Sequence, residues 1–142
     1  IARFDHPFER GLVGVTTEYT IKPNGSIKVI GRGYQDSLQG EKKEIVGRVY
    51  IPDTTQPGVL KATFFLIFNT DYHILEVEKD YSPALIGSSQ RDHLWIMSRT
   101  PTLPPKKLKD LMQRAQRRGY DTTALIFVPH GQKQIQEELT KL

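Results

Sequence analysis

Hydrophobic and polar residues alternate along most of this chain with the period of two that is typical of β-strands. In the run 92–101, Trp95, Met97 and Arg99 share one face of a predicted strand, which Pro101 ends because proline cannot donate to a ladder. Similar runs predict further strands at 1–3, 12–21, 27–34, 45–51, 59–65, 72–79, 84–87 and 125–128. The short turns between them, above all Asn24-Gly25, predict an antiparallel meander.

One segment has a helical period instead. Its apolar residues lie three and four positions apart, which predicts an amphipathic helix over about 105–118 with the stripe Leu108, Leu111, Met112 and Ala115. We expect Thr102 to cap its N-terminus and Gly119 to end it. The folded domain is predicted to cover 1–128, and the tail 129–142 is either a docked helix or disordered.

A sheet of this many strands must either pack against a second sheet or close into a barrel. Several residues predicted to face inward are small and leave room at the centre: Thr17, Gly31, Gly47, Ala62 and Ala84. A barrel of eight strands is just wide enough to enclose one small ligand. The pattern therefore favours a barrel, with a sandwich as the alternative.

Composition narrows the classes of function. The 142 residues include no cysteine, which excludes disulfides, thiolate nucleophiles and Cys-type metal sites. The four histidines are not spaced like a metal-binding pair, and we predict neither a metal nor a cofactor. The net charge of +4 is mild. The basic residues of the chain are concentrated at 106–118, where they form a solvated helix face or contact an anionic membrane surface. We predict no nucleic-acid partner.

Two long stretches of the sequence resemble a known family. Residues 1–11 are similar to the first strand and following loop of the bacterial lipocalins, the outer-membrane lipoprotein subgroup that is similar to apolipoprotein D. Residues 94–101 resemble the third lipocalin signature, and Arg99 matches its structural arginine. The family's opening Gly-x-Trp would lie upstream of Ile1, and Glu78 stands where the second signature usually has Asp.

The resemblance implies an all-β fold, an eight-stranded antiparallel up-and-down β-barrel with one C-terminal α-helix packed on the outside. It also implies a non-catalytic protein that binds, transports or stores a fatty acid or lysophospholipid in the barrel cavity and is linked to envelope lipid maintenance. Bacterial members are commonly lipoproteins. We therefore expect the protein to be located at the periplasmic face of the outer membrane, held there by an N-terminal lipid anchor upstream of Ile1. We expect it to be a monomer or a homodimer.

The candidate cavity lining follows from the strand register. If Trp95 and Met97 face inward, matching positions predict a ligand-binding set of Val15, Thr17, Tyr19, Val29, Val49, Ala62, Phe64, Tyr72, Ile74, Trp95 and Met97. A cation at the mouth could meet an anionic head group. The mouth is predicted to contain Phe4, Phe8, Arg10, Tyr34 and His93. The alternative is that the first set packs a solid core and the second belongs to ordinary loops.

Glu76 shares the register of Tyr72 and would point into an apolar cavity, where an unpaired carboxylate is costly. Arg48 or Lys61 could pair with it, or a β-bulge could turn it outward. Two other functions stay open. One is a lipid-modifying enzyme with Glu76 and His93 as an acid–base pair in the same cavity. The other is a peripheral module that binds a membrane surface through the basic helix.

Overall fold

A computed structural model describes residues 1–64 and 68–131 as one antiparallel sheet of nine strands with one α-helix. The strands are β1 (Ala2–Arg3), β2 (Leu12–Ile21), β3 (Ile27–Gln35), β4 (Lys42–Tyr50), β5 (Val59–Phe64), β6 (Phe68–Val77), β7 (Ala84–Gly87), β8 (Leu94–Met97) and β9 (Ile126–Phe127). The helix α1 spans Pro105–Arg117, and a 3₁₀ turn follows at Thr122–Ala124. The predicted tail from residue 132 onward lies outside the described residues, as does Phe65 at the end of the predicted fifth strand.

The sheet is a meander that curls back towards its first strand. Its order is β2-β3-β4-β5-β6-β7-β8-β1-β9, so that β1 lies between β8 and β9. Beyond β9, the Gly14 N–H of β2 donates to the Pro129 carbonyl at 2.7 Å and joins the two edges. The predicted all-β fold is confirmed. It has nine strands rather than eight, because the two-residue strands β1 and β9 both pair at the closing edge.

Two separate hydrophobic cores hold the structure together. One fills part of the barrel interior and centres on the buried residues Val29, Val49, Ala62 and Phe64. The other lies between the outer face of the sheet and α1, and includes Leu85, Leu94, Ile96, Leu111 and Ala115. Burial of an aliphatic side chain contributes about 1.5–3 kcal/mol. The helix therefore packs on the outside of the sheet, as the sequence predicts.

The ends of α1 follow different rules. Its N-cap is Pro104, which makes no side-chain capping hydrogen bond, so the predicted Thr102 cap is wrong. Pro105 suits the first turn because its missing N–H would have no partner there. Gly119 ends the helix as predicted, at φ 89°, with its N–H bonded to the Gln116 carbonyl at 2.9 Å. Within the described part of the chain, no helix has both the length and the hydropathy of a membrane span.

A β-bulge in β6 decides where Glu76 points. The pairing with β7 shifts between Ile74 and Glu76, so Leu75 packs against the core beneath the helix and Glu76 also faces α1. Glu76 Oε1 lies 2.7 Å from Arg118, and Oε2 lies 3.2 Å from Arg114. The inward-facing alternative for Glu76 is wrong, since the extra residue of the bulge reverses the face of the strand that follows it.

Candidate functional site

The barrel interior holds a cavity of 290 Å³ at the end where the loop 4–11 lies, here called the upper cavity. Most of its wall is apolar: Phe8, Leu12, Val15, Val29, Ile45, Phe64, Tyr72, Trp95 and Met97. A second space of 650 Å³, the lower cavity, adjoins it and shares Glu9, Val15, Thr17, Trp95 and Met97. Ligand pockets commonly measure about 300–1,000 Å³. The interior thus has the size and the apolar character of a small-molecule site.

Ten residues of the two predicted sets line the upper cavity. From the predicted ligand-binding set these are Val15, Thr17, Val29, Phe64, Tyr72, Trp95 and Met97. From the predicted mouth they are Phe8, Arg10 and His93. The strand parity of Trp95 therefore brings together residues from four other strands, and loop residues join them, since all inward positions of a barrel converge on its axis.

Four residues of the predicted ligand-binding set lie elsewhere. Val49 and Ala62 are cross-strand partners, 3% and 0% exposed, and pack into the interior core, so that they fill the barrel instead of lining the cavity. Tyr19 and Ile74 lie farther along β2 and β6, away from the loop 4–11, and are 45% and 42% exposed. Correct parity thus places a side chain inside the barrel without deciding at which depth it lies.

Two predicted mouth residues are also displaced. Phe4 is buried in the core beneath α1, with its ring 6.4 Å from that of Tyr120. Tyr34 has the opposite parity to Val29 and falls on the outer face of β3. Arg99, predicted as a structural residue, borders the lower cavity, and its Nε donates to the Asp80 carbonyl at 3.3 Å.

Gly47 does not leave empty space at the centre of the barrel, contrary to the expectation from its size. It pairs with Phe64, and the ring of Phe64 lies over its backbone so closely that a Cβ at Gly47 would collide with the ring. The absence of a side chain on β4 therefore lets an aromatic ring of β5 form part of the cavity wall.

The carboxylate of Glu9 holds the loop 4–11 at the mouth of the barrel. Trp95 Nε1–H donates to Glu9 Oε2 at 3.1 Å, and His6 Nε2 lies 2.5 Å from the same oxygen. Behind them, the buried Arg3 donates to the main-chain carbonyl of Glu9 at 2.7 Å, and its Nε is 4.0 Å from Glu9 Oε2. A partly buried charge with this many partners ties the loop to β1 and β8.

These contacts also set the ionisation of Glu9. Burial opposes the charged form, but the hydrogen bonds from His6 and Trp95 and the charges of His6 and Arg3 outweigh it and hold the pKa of Glu9 below its usual range. Glu9 is therefore an anion at neutral pH, placed in the wall of an otherwise mostly apolar cavity.

Aromatic rings form a layer around Trp95 at the mouth. His93 stacks on the indole at 5.4 Å with an interplanar angle of 19°, and His6 meets the indole edge-on at 5.5 Å. His93 is fixed from the other side by Asp92, whose Oδ1 lies 3.1 Å from its Nδ1. Burial opposes ionisation of Asp92, but hydrogen bonds from Ser88 and His93 lower the pKa of that carboxyl.

Sequence reasoning missed His6, Glu9, Leu12 and Ile45 as lining residues. Leu12 faces inward because the β2–β3 pairing shifts between Val13 and Thr16, which reverses the parity at the start of β2. The glycine at position 14 within a strand was the available signal for this bulge. His6 and Glu9 carry no periodic signal, because they lie in a loop.

The geometry separates the two residues of the hypothetical acid–base pair. His93 lines the upper cavity, whereas Glu76 faces α1 on the outside of the sheet. The basic helix also pairs several of its charges, since Lys107 binds Glu78 at 2.7 Å and Arg114 and Arg118 bind Glu76. Within residues 1–64 and 68–131, no cluster of three or more His, Asp or Glu side chains is arranged to hold a metal ion.

Comparisons with known proteins agree with this architecture. Residues 1–130 match the Lipocalin-like domain family. The chain is 40% identical over 129 residues to the outer membrane lipoprotein Blc of Vibrio cholerae, covering 90% of this chain and 75% of that protein. It is 31% identical over 140 residues to temperature-induced lipocalin-1 of Arabidopsis thaliana, covering 92% and 74% of the two chains. Lobster apocrustacyanin A1 is similar in fold, with a TM-score of 0.72 at 21% identity over 93% of this chain and 74% of that chain.

Proposed function

This chain belongs to the lipocalin family, and we propose that it binds a hydrophobic ligand in the upper cavity and carries or stores it without chemical change. The observation that carries the proposal is the apolar cavity of 290 Å³ bordered by Phe64, Tyr72, Trp95 and Met97. Burial of apolar ligand surface against such side chains supplies the driving force, and the few polar groups orient the ligand.

The ligand is a fatty acid or a lysophospholipid. An acyl chain of about 16 carbons gains about 12 kcal/mol when buried, at about 0.8 kcal/mol per CH₂. The upper cavity and the adjoining lower cavity together provide room for such a chain. Association costs at least about 4 kcal/mol, which leaves micromolar affinity without any specific polar contact.

The site of action is the bacterial outer membrane, on its periplasmic face, in the maintenance of envelope lipids. The support is the similarity to a protein named outer membrane lipoprotein in Vibrio cholerae and to its namesake in Escherichia coli, at 40% and 37% identity. A lipid-modifying enzyme is a weaker candidate, because Glu76 and His93 do not share a cavity. A membrane-surface module is weaker too, because Lys107, Arg114 and Arg118 already have acidic partners.

The experiment is a titration of the delipidated protein with a fatty acid and with a lysophospholipid, followed by the emission of Trp95, the single tryptophan. Thr17→Phe fills the upper cavity, and Thr20→Phe adds the same side chain on the exposed outer face of β2. We expect saturable one-to-one binding that Thr17→Phe weakens at least about tenfold, while Thr20→Phe leaves it unchanged. No saturable binding, or equal effects of the two variants, would contradict a ligand inside the barrel.

A further inference from the structure

One oxygen of the Glu9 carboxylate is left open to the cavity. Its Oε2 atom accepts from Trp95 Nε1 and lies against His6 Nε2. Within the described residues, nothing donates a hydrogen bond to Oε1, and the Glu9 side chain keeps 18% of its surface exposed while lining both cavities. A carboxylate that is already oriented by two partners can accept a further hydrogen bond without losing the contacts that hold it.

A hydrogen-bond donor, the Tyr72 hydroxyl, belongs to the same cavity lining as this acceptor. The ring of Tyr72 packs against Trp95 at 4.9 Å, so that Tyr72 and Glu9 contact the same indole from within the barrel. Burial, and after it the proximity of Tyr19 and Glu9, raises the pKa of the Tyr72 phenol, which therefore keeps its proton. In the part of the chain that the structure describes, the Tyr72 hydroxyl makes no hydrogen bond.

An acceptor beside a donor fits a chemical group that can both donate and accept. An alcohol does so, because its O–H donates while its oxygen accepts. A free carboxylate does not fit, because it lacks a proton to donate and meets the negative charge of Glu9. His6 is already bound to Glu9 Oε2. Arg3 offsets the charge of Glu9 from behind, but it does not line the upper cavity, and its terminal nitrogens already donate to the carbonyls of Phe4 and Glu9.

We propose that Glu9 and Tyr72 form a subsite for a hydroxyl group, by which the upper cavity selects neutral, hydroxyl-bearing amphiphiles such as monoacylglycerols over free fatty acids of the same chain length. This inference rests on the proposed function, since it assigns specificity within the same cavity. The apolar chain of such a ligand packs against Phe8, Phe64 and Met97. A fatty acid binds with its carboxylate turned away from Glu9.

The test compares three ligands with the same acyl chain by calorimetric titration at neutral pH: monomyristoylglycerol, myristic acid and methyl myristate. Calorimetry avoids the emission of Trp95, which a change at Glu9 would itself alter. We expect the native protein to bind monomyristoylglycerol at least about tenfold more tightly than myristic acid, the size of one hydrogen bond to a charged acceptor. Methyl myristate, which donates no hydrogen bond, reports the contribution of the chain alone.

Glu9→Gln and Tyr72→Phe remove the two halves of the subsite separately. Glu9→Gln is expected to weaken the binding of monomyristoylglycerol about tenfold. It is expected to strengthen the binding of myristic acid, because the repulsion between the two carboxylates disappears. Tyr72→Phe is expected to weaken monomyristoylglycerol about threefold. Methyl myristate binding stays unchanged in both. Glu18→Gln, on the exposed outer face of β2, is the matched control and changes none of the three affinities.

Two outcomes would contradict the hydroxyl subsite. They differ in whether the carrier function also fails. If the native protein binds all three ligands equally, or prefers myristic acid, the hydroxyl subsite is wrong while the carrier function stands. If none of the three binds, including the methyl ester, the carrier function fails as well. If Glu9→Gln does not fold, Tyr72→Phe decides alone, since equal weakening of all three ligands would mark it as a purely structural residue.

Discussion

Trp95 donates its indole N–H to Glu9 Oε2 at 3.1 Å, which joins β8 to the loop 4–11. The same indole stacks on the ring of His93 and contacts the ring of Tyr72 at 4.9 Å. The same contact thus holds the loop 4–11 at the mouth and forms part of the cavity wall. Its strength depends on the charge of Glu9, which makes it sensitive to pH.

Acidic pH should weaken the contacts of Glu9 that hold the loop 4–11 at the mouth of the barrel. Its folded pKa lies below the ordinary value of 4.5, so its stabilising effect is complete above that value and is lost as the pH falls through the folded pKa. Glu9→Gln should lower the free energy of unfolding at neutral pH by about 2 kcal/mol, the size of hydrogen bonds to a buried charge. The measurement is urea denaturation of both proteins across the acid range.

The difference in free energy of unfolding between the native protein and Glu9→Gln should shrink in strongly acidic buffer, because the carboxyl of Glu9 is then protonated and uncharged like the amide of glutamine. Glu18→Gln, which loses only an exposed pair with Arg32, should differ little from the native protein at any pH. If the difference in free energy of unfolding between the native protein and Glu9→Gln stays constant down to strongly acidic pH, Glu9 is not held as an anion by its neighbours.

Gly47 should tolerate no side chain, because the ring of Phe64 lies over it. We expect Gly47→Ala to destabilise the protein by about 1–3 kcal/mol, the usual cost of overpacking a core. Gly58→Ala is the matched control, since the nearest atom to its added Cβ is 3.8 Å away. Equilibrium unfolding in urea measures both. Equal stabilities of the two variants would mean that Phe64 moves aside without cost.

Tyr120 should anchor the segment after α1 to the sheet. Its hydroxyl donates to the Ser88 carbonyl at 3.0 Å and accepts from the Ser88 N–H at 3.2 Å, and both residues are buried. Tyr120→Phe leaves both main-chain groups unsatisfied and should cost about 1–3 kcal/mol in a thermal or urea melt. Tyr81→Phe, at a side chain that is 71% exposed, should stay within about 0.5 kcal/mol of the native protein.

Glu76 should matter little for stability and not at all for ligand binding. Its pairs with Arg114 and Arg118 are partly exposed, and such pairs contribute about 1 kcal/mol or less. Glu76→Gln should therefore lower the free energy of unfolding slightly, and the loss should fade at high salt because exposed charges are screened. Ligand affinity should stay the same. A large change in affinity would indicate that Glu76 reaches the cavity.

Much of the architecture could be predicted because it depends on neighbours in the sequence. The period of two at 92–101 and the stripe that contains Leu111 and Ala115 identify a strand and a helix without knowledge of the rest, and both are found where predicted. The parity of Trp95 also predicted that Thr17 and Phe64 face inward, and the structure places both in the lining of the upper cavity. A period carries this information because side chains alternate strictly between the two faces of a strand.

The tertiary structure determined the features that a periodic sequence pattern cannot indicate. The bulges in β2 and β6 reverse the faces at Leu12 and Glu76, and each depends on pairing with another strand. The loop 4–11 brings Glu9 to Trp95 across 86 positions of sequence, where only packing can place it. The sequence by itself determined the elements and their inward faces, since these follow from local alternation. The depth of each residue in the barrel and the polar partners at its mouth were decided by contacts between distant segments.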